Sequence, residues 1–241
     1  MQVNEIFYSI QGEGILQGIP MVFVRLQGCN FKQPCKWCDT TYALSEGATQ
    51  YTMTPLEIKE KVLSVFKKGT KVYPGLWVCI TGGEPLKQEK ELWDLCKLLT
   101  EQGLYKVEIE TNGSEILPRW FTVATSWCID IKTPSSGNVN LNDKLVRSFF
   151  QTRTNDQIKF VVADKGDLEF ARNIIQLNPH FPPRVLISPM IPSPSGLDDP
   201  MFTVSEGVEW WKECAEFCKE ERVRLSLQLH KIIWGTQKRG V

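Results

Sequence analysis

The chain has 241 residues, of which 42% are hydrophobic and 23% charged, and its 28 basic and 28 acidic side chains give a formal net charge of zero. This composition is ordinary for a soluble globular protein, and the balanced charge argues against a general attraction to nucleic acid or anionic membranes. No run approaches the ~18 apolar residues of a membrane helix, and the first residues lack the features of a secretion signal. We therefore expect a cytosolic, reducing environment, which favours metal ligation over disulfides for clustered cysteines.

Strands and helices alternate along the chain. Apolar runs predict strands over residues 21–26, 76–81, 106–111, 127–132, 158–162, 184–188 and 223–230. Amphipathic segments predict helices over 54–69, 87–102, 141–150, 167–177 and 204–221. This alternation is typical of βαβ units and a parallel sheet, and about six strands suffice for an open, partial β/α barrel but not for a closed eight-fold one. We expect one α/β domain over residues 1–241.

The first predicted helix has a recognisable start. Thr54 and Glu57 form a capping box, and Pro55 occupies the first helical position. The apolar residues that we expect to face the core are Leu56, Val62, Leu63 and Phe66.

Three of the eight cysteines, Cys29, Cys35 and Cys38, lie on one short loop directly after the first of these strands. Three thiolates can hold a metal or an iron–sulfur cluster and leave one position open, which is where chemistry occurs. A disulfide framework would need an oxidising compartment. A structural zinc site would need a fourth ligand, and neither His180 nor Cys79 lies at a familiar spacing. The loop favours an iron–sulfur site without excluding these alternatives.

Polar and glycine-rich residues follow the other predicted strands. In parallel α/β folds the active site lies outside the carboxyl ends of the strands, so one site could collect residues 82–85, 110–113, 130–132, 188–190 and His230. Arg25 lies inside an apolar strand, and a buried guanidinium needs an anionic partner, either a substrate carboxylate or a structural acid. The Gln11-Gly12-Glu13-Gly14 segment, taken alone, favours a hairpin turn.

Together these motifs resemble the radical S-adenosylmethionine (SAM) superfamily and, within it, the 7-carboxy-7-deazaguanine synthases. The resemblance runs nearly end to end and rests on Ser9–Gly14, Arg25, the cysteine loop with Asp39-Thr40, Gly82-Gly83-Glu84-Pro85, Glu110–Gly113, Asp130-Ile131-Lys132 and the ending Leu229-His230…Trp234-Gly235…Arg239-Gly240. The chain departs from the usual Cys-x3-Cys-x2-Cys spacing, because five residues separate Cys29 from Cys35. We interpret this as an enlarged loop.

The resemblance implies a carbon–nitrogen lyase that converts 6-carboxy-5,6,7,8-tetrahydropterin to 7-carboxy-7-deazaguanine with loss of ammonia, within queuosine and deazapurine biosynthesis. The implied cofactors are a [4Fe-4S] cluster, SAM and Mg²⁺. SAM cleavage gives a 5′-deoxyadenosyl radical that abstracts a substrate hydrogen and later retrieves it. The cofactors carry this chemistry, so no catalytic side chain is predicted.

The resemblance also implies three groups of site residues. The cluster ligands would be Cys29, Cys35 and Cys38, and the Mg²⁺ ligand would be Thr40, for which an ordinary turn residue is the alternative. The predicted SAM contacts are Trp37, Cys38, Asp39, Gly83, Asp130, Ile131, Lys132, Ser188 and Met190. The predicted substrate contacts are Ile10, Gln11, Gly12, Glu13, Arg25, Thr81, His230 and the carboxylate of Val241, in a tail that covers the substrate.

The implied partners are a flavodoxin- or ferredoxin-type electron donor, whose access residues 32–34 could shape, and a second copy of the chain in a homodimer. Two other functions remain open. One is another small radical SAM enzyme, such as an activase that installs a glycyl radical on a partner protein, although Arg25 and the N-terminal glycine-rich segment argue against it. The other is a non-catalytic zinc protein, which metal and sulfide analysis would distinguish.

Overall fold

The computed structural model describes residues 1–44, 51–69, 75–139, 153–178, 184–192, 204–235 and 239–240. The strands of these residues form one nine-stranded sheet in the order β3-β1-β2-β4-β5-β6-β7-β8-β9. The strands are β1 (Gln2–Ile10), β2 (Pro20–Leu26), β3 (Tyr51–Thr52), β4 (Leu76–Gly82), β5 (Tyr105–Thr111), β6 (Ser126–Ile131), β7 (Gln157–Val162), β8 (Val185–Pro189) and β9 (Arg224–Leu225).

The sheet is parallel except at its N-terminal edge. Strands β2 and β4 to β9 run parallel to one another, whereas β1 pairs antiparallel with both β2 and β3. Six of the parallel strands have five to seven residues, and β9 has only two. Because β3 and β9 end the series without pairing to each other, the predicted open α/β barrel of about six parallel strands is confirmed.

Five α-helices lie in the described part of the chain: α1 (Pro55–Gly69), α2 (Glu89–Thr100), α3 (Lys165–Leu177), α4 (Val204–Glu221) and α5 (Leu229–Trp234). The predicted helix over 141–150 lies outside the described residues. None of the helices within the described ranges is long and apolar enough to cross a membrane.

The start of α1 agrees with the predicted capping box. The Thr54 hydroxyl accepts from the Glu57 N–H at 3.3 Å, and the Thr54 N–H donates to the Glu57 carboxylate at 2.6 Å. The expectation for Leu56 was wrong, because its side chain is 55% exposed. The buried face of α1 begins two residues later, at Ile58, and recurs every four residues at Val62 and Phe66.

The prediction of a final strand over 223–230 was wrong after Leu225. The alternating leucines of this segment mimic a strand, but only the Ser226 N–H still bonds to β8, at the Ile187 carbonyl, and the backbone from Leu227 onward bonds to the loop between β1 and β2. The Leu227 carbonyl accepts from Gln17 Nε2 at 2.6 Å, and the Leu229 N–H donates to the Gly12 carbonyl at 2.9 Å. Helix α5 then begins at Leu229 and carries His230.

The strands alternate between an apolar outer face and a polar inner face. In β5, Val107 and Ile109 belong to the hydrophobic core under the helices, whereas Glu108 and Glu110 lie on the opposite face, as the two-residue period of a strand requires. Lys159 occupies the inner face of β7 in the same way. The main hydrophobic core thus lies outside the sheet, and the inner face is polar apart from a smaller buried cluster of Leu16, Met21, Phe23 and Cys79.

Candidate active site

A cavity opens at the carboxyl ends of the parallel strands, and most of the predicted site residues line it. Those lining residues are Ile10, Gln11, Gly12, Glu13, Arg25, Cys29, Cys35, Trp37, Cys38, Asp39, Thr40, Thr81, Gly83, Asp130, Lys132 and His230. Ile131, Ser188 and Met190 are not among the described residues that line the cavity, and Val241 lies outside the described residues. The assignment of these four residues stays a prediction.

The three loop cysteines are half-buried and line this cavity together. All eight cysteines of the chain are free thiols in this structure. The Asn112 Nδ2 lies 3.8 Å from Cys29 Sγ, and the Asn138 Nδ2 lies 3.7 Å from Cys35 Sγ. Burial raises the pKa of Cys35, and Lys132 and the Asn138 amide oppose that rise. Because amide donors of this kind favour thiolates over thiols, the donor set fits a cluster held by three cysteines.

Gly83 brings two segments of the site into contact. A Cβ atom at this position would lie 2.1 Å from the Gly28 carbonyl oxygen and 2.7 Å from the Cys29 nitrogen. Real Cβ atoms do not approach backbone atoms so closely, so the turn after β4 can pack against the cysteine loop only because residue 83 is glycine. The predicted approach to SAM is a second, separate reason for glycine there.

Glu84 joins the same turn to the end of β5. Its carboxylate accepts from the Asn112 N–H at 2.7 Å, the Thr111 hydroxyl at 2.9 Å and the Leu86 N–H at 2.9 Å. Complete burial raises the pKa of Glu84 to about 7 in spite of these donors. Because Asn112 also reaches Cys29, the turn, the strand end and the cysteine loop form one connected unit.

The loop between β1 and β2 supplies the opposite wall of the cavity. Gln11 Nε2 donates to Glu108 at 2.7 Å and to Glu110 at 3.0 Å. The Glu13 carboxylate accepts from Lys159 at 2.5 Å and from Gln228 at 2.8 Å. Burial by itself would raise the pKa of Glu13, but the positive charge of Lys159, with His230 nearby, lowers it to about 2. The segment predicted as a hairpin turn therefore also lines the cavity.

His230 links this loop to the cysteine loop. A Cβ atom on Gly12 would lie 2.2 Å from His230 Nδ1, so the imidazole packs directly on the glycine. On its other side His230 Nε2 lies 3.9 Å from Asp39, which also pairs with Lys231 at 3.1 Å. Burial opposes the charged form of Asp39, but Lys231 and His230 outweigh it and hold the pKa of that carboxyl well below its usual range.

Arg25 has the structural acid that was one of its two predicted partners. Its Nε donates to Glu5 at 2.8 Å, and the same Glu5 oxygen accepts from the Tyr42 hydroxyl at 3.0 Å. The guanidinium also lines the cavity. Its second predicted partner, a substrate carboxylate, stays a prediction.

The predicted SAM side of the cavity carries a short ion pair. Lys132 Nζ lies 2.6 Å from Asp130 and 5.2 Å from the centre of the Trp37 ring, a distance at which a cation is attracted to the face of the indole. Thr40 lies at the edge of the cysteine loop, with its hydroxyl 3.6 Å from Cys38 Sγ.

Three cavity residues that bond to predicted site residues had no role in the sequence prediction: Lys159, Gln228 and Lys231. The sequence did contain a sign that Lys159 belongs to the site, because it is a charged residue inside an apolar strand, as Arg25 is. Gln228 and Lys231 could not be found in this way, since their positions depend on the helix that replaced the predicted strand.

We compared the chain with family models, with curated proteins and with solved structures. No protein-family model matches the chain. A 7-carboxy-7-deazaguanine synthase from Koribacter versatilis is 35% identical over 245 residues, covering 100% of both chains. Another from Clostridium acetobutylicum is 36% identical over 247 residues, covering 100% of this chain and 99% of the relative.

Among solved structures, the crystal structure of QueE from Escherichia coli is similar to this fold. Its TM-score is 0.69 at 22% identity, with 95% of this chain and 94% of that chain covered. Since the sequence relatives extend over the whole chain, the protein belongs to the family of 7-carboxy-7-deazaguanine synthases, radical SAM enzymes of queuosine biosynthesis that use a [4Fe-4S] cluster, SAM and Mg²⁺.

Proposed function

We propose that this chain converts 6-carboxy-5,6,7,8-tetrahydropterin to 7-carboxy-7-deazaguanine with loss of ammonia in the cavity described above. The proposal rests on one observation: two chemically different walls line the same cavity. One wall has three half-buried thiols, and the other has a half-buried arginine with a hydrogen-bonded polar loop. Such a cavity suits a small, polar, carboxylated substrate held next to a redox cofactor.

The cysteine wall would hold the cofactors. Cys29, Cys35 and Cys38 would ligate the cluster, and the amides of Asn112 and Asn138 would support the thiolates. When bound, the cluster and SAM supply the one-electron chemistry that removes a hydrogen atom from the substrate. The predicted SAM contacts of the chain orient that molecule, with Gly83 allowing its close approach and Asp130 and Lys132 fixing its polar groups.

The opposite wall would hold the substrate. The pterin carboxylate would lie against the guanidinium of Arg25, which Glu5 holds in position from behind. Gln11 and Glu13 would contact the polar edge of the pterin. Thr40 would bind Mg²⁺, and because one hydroxyl is far from a full octahedral ligand set, substrate oxygens and waters would supply the other ligands.

The remaining assignments concern the whole molecule. We propose one domain over residues 1–241, with the C-terminal carboxylate of Val241 covering the substrate, a homodimeric assembly and a cytoplasmic location. Reduction of the cluster would come from a flavodoxin- or ferredoxin-type donor.

The test is an anaerobic assay. The protein is reconstituted with iron and sulfide, reduced, and mixed with SAM, Mg²⁺ and the carboxylated tetrahydropterin, and 7-carboxy-7-deazaguanine is measured by mass. The matched control is 6-methyltetrahydropterin, which lacks the carboxylate. We expect product without net SAM loss from the carboxylated substrate alone. SAM cleavage without product would favour the activase alternative, and one zinc per chain without sulfide would favour the zinc protein.

A further inference from the structure

A second polar layer lies beneath the floor of the cavity. Glu108 of β5 and Gln157 of β7 are 0% and 1% exposed, and neither is among the cavity-lining residues. Strand β6 separates their strands, yet Gln157 Nε2 donates to Glu108 Oε1 at 2.8 Å. Complete burial and the neighbouring Glu110 raise the pKa of Glu108 to about 8. Burying an acidic group is unfavourable unless hydrogen bonds compensate, so this arrangement at the interior of the barrel calls for a reason.

Both oxygens of Glu108 hold the loop that connects β1 and β2. Glu108 Oε2 accepts directly from Gln11 Nε2 at 2.7 Å. Glu108 Oε1 acts through Gln157, whose own Oε1 accepts from the backbone N–H of Ile15 at 2.8 Å. Because a backbone N–H can only donate, it fixes which end of the Gln157 amide faces Glu108. One carboxylate therefore anchors the loop at residue 11 and at residue 15.

The acidic groups here are not arranged as a cation site. Cys79, Glu108 and Glu110 have ligand atoms within 4.8 Å of one another. However, Gln11 Nε2 donates to both carboxylates, and the Thr81 hydroxyl donates to Glu110 at 2.8 Å. Donor hydrogens directed at these oxygens satisfy them and would repel a cation. The cluster is a hydrogen-bonded network.

We propose that Glu108 is a positioning residue that sets the affinity for the pterin by fixing the loop between β1 and β2, without taking part in SAM cleavage. This rests on the proposed function, in which Gln11 and Glu13 contact the substrate. The anchored Gln11 amide also orients its neighbour, since its Oε1 accepts from the Glu13 N–H at 3.3 Å.

The loop also packs closely against Gln157. Gly14 has a φ of +75°, and a Cβ atom there would lie 2.6 Å from Gln157 Oε1. The loop backbone is thus in contact with the amide that Glu108 orients. Loss of the Glu108–Gln157 hydrogen bond would therefore loosen the part of the loop that faces the substrate. The cysteine wall has no hydrogen bond to Glu108 or Gln157 among the described residues.

The test uses Glu108→Gln, Gln157→Glu and the double swap. Glu108→Gln sets one NH₂ group against another, and Gln157→Glu sets two buried carboxyl groups against each other. The swap restores one donor and one acceptor at every contact, because a glutamate at 157 still accepts from Ile15. We expect each single variant to raise the KM for the carboxylated tetrahydropterin about 10- to 100-fold, as for a buried polar group left without its hydrogen-bond partner, and the swap to return it to within about threefold of the wild type.

Two further measurements separate positioning from general damage. SAM cleavage without pterin, and iron and sulfide content, should match the wild type in all variants. Amide hydrogen exchange of the apo-protein should become faster in residues 11–15 of the single variants and return to wild-type rates in the swap. Single variants with wild-type KM and exchange, or a swap that folds and cleaves SAM but keeps the high KM, would overturn the proposal. A wild-type protein that makes no product would instead overturn the proposed function, and the exchange result would still stand on its own.

Discussion

The two walls of the cavity are built differently. The cysteine wall consists of a short loop, a glycine turn and a strand end held together by close backbone packing, as at Gly83 against Gly28 and Cys29. The substrate wall is a loop held from below by buried side chains of distant strands, such as Glu108 and Lys159. The first wall therefore depends on backbone packing between two turns, and the second on side-chain hydrogen bonds between residues more than ninety positions apart. Substitutions in one wall should therefore leave the properties of the other wall unchanged.

The largest effect is expected at the cysteine wall. Cys35→Ala removes one of three thiolates, so we expect loss of the cluster and of all SAM cleavage. Iron and sulfide analysis of the reconstituted protein measures this. Cys218→Ala is the matched control, because Cys218 is buried in the hydrophobic core away from the cavity, and it should retain both. Normal cluster content in Cys35→Ala would contradict the ligand assignment.

Gly83→Ala should have the next largest effect. The added methyl group meets the backbone of Gly28 at 2.1 Å, so the cysteine loop must shift, and displacements of about 1 Å at a reacting centre can cost about 100-fold in rate. We expect SAM cleavage to fall by about that factor. Gly166→Ala is the control, because its Cβ would meet only Asp164 Oδ1 at 3.1 Å. Equal activities of the two variants would show that the close approach is unimportant.

The sequence predicted the two walls unequally well. The parallel strands and the cysteine loop could be predicted because the period of apolar residues and the cysteine spacing are local features. The role of Lys159 was missed, and the final strand was wrong, because both depend on where the loop between β1 and β2 packs. That loop bonds to Leu227 and Leu229, and alternating leucines give no indication of it.

The substrate wall should respond to pH through Glu13. Its pKa falls from 4.5 to about 2 on folding, so its contribution is complete above pH 4.5 and disappears as the pH falls through 2. The shift corresponds to ~3 kcal/mol. We expect Glu13→Gln to lower the free energy of unfolding of the apo-protein by about this amount at pH 6, with the difference shrinking towards pH 3. Urea titrations at several pH values measure this, and a pH-independent difference would contradict the ion pair with Lys159.

The smallest effect is expected far from both walls. Thr54→Ala removes the hydroxyl that caps α1, which should cost about 1 kcal/mol in the free energy of unfolding. Product formation should stay within about twofold of the wild type. A urea titration and the product assay together measure both quantities. A large loss of activity would mean that α1 is coupled to the cavity.

The most direct test of the two-walled cavity is an anaerobic crystal structure of the reconstituted protein with SAM, Mg²⁺ and the carboxylated tetrahydropterin. We predict a cluster on Cys29, Cys35 and Cys38, and the pterin carboxylate within hydrogen-bonding distance of Arg25, with the ring against the Gln11–Glu13 segment. A pterin bound outside this cavity, or a tetrahedral zinc ion on the three cysteines, would contradict it.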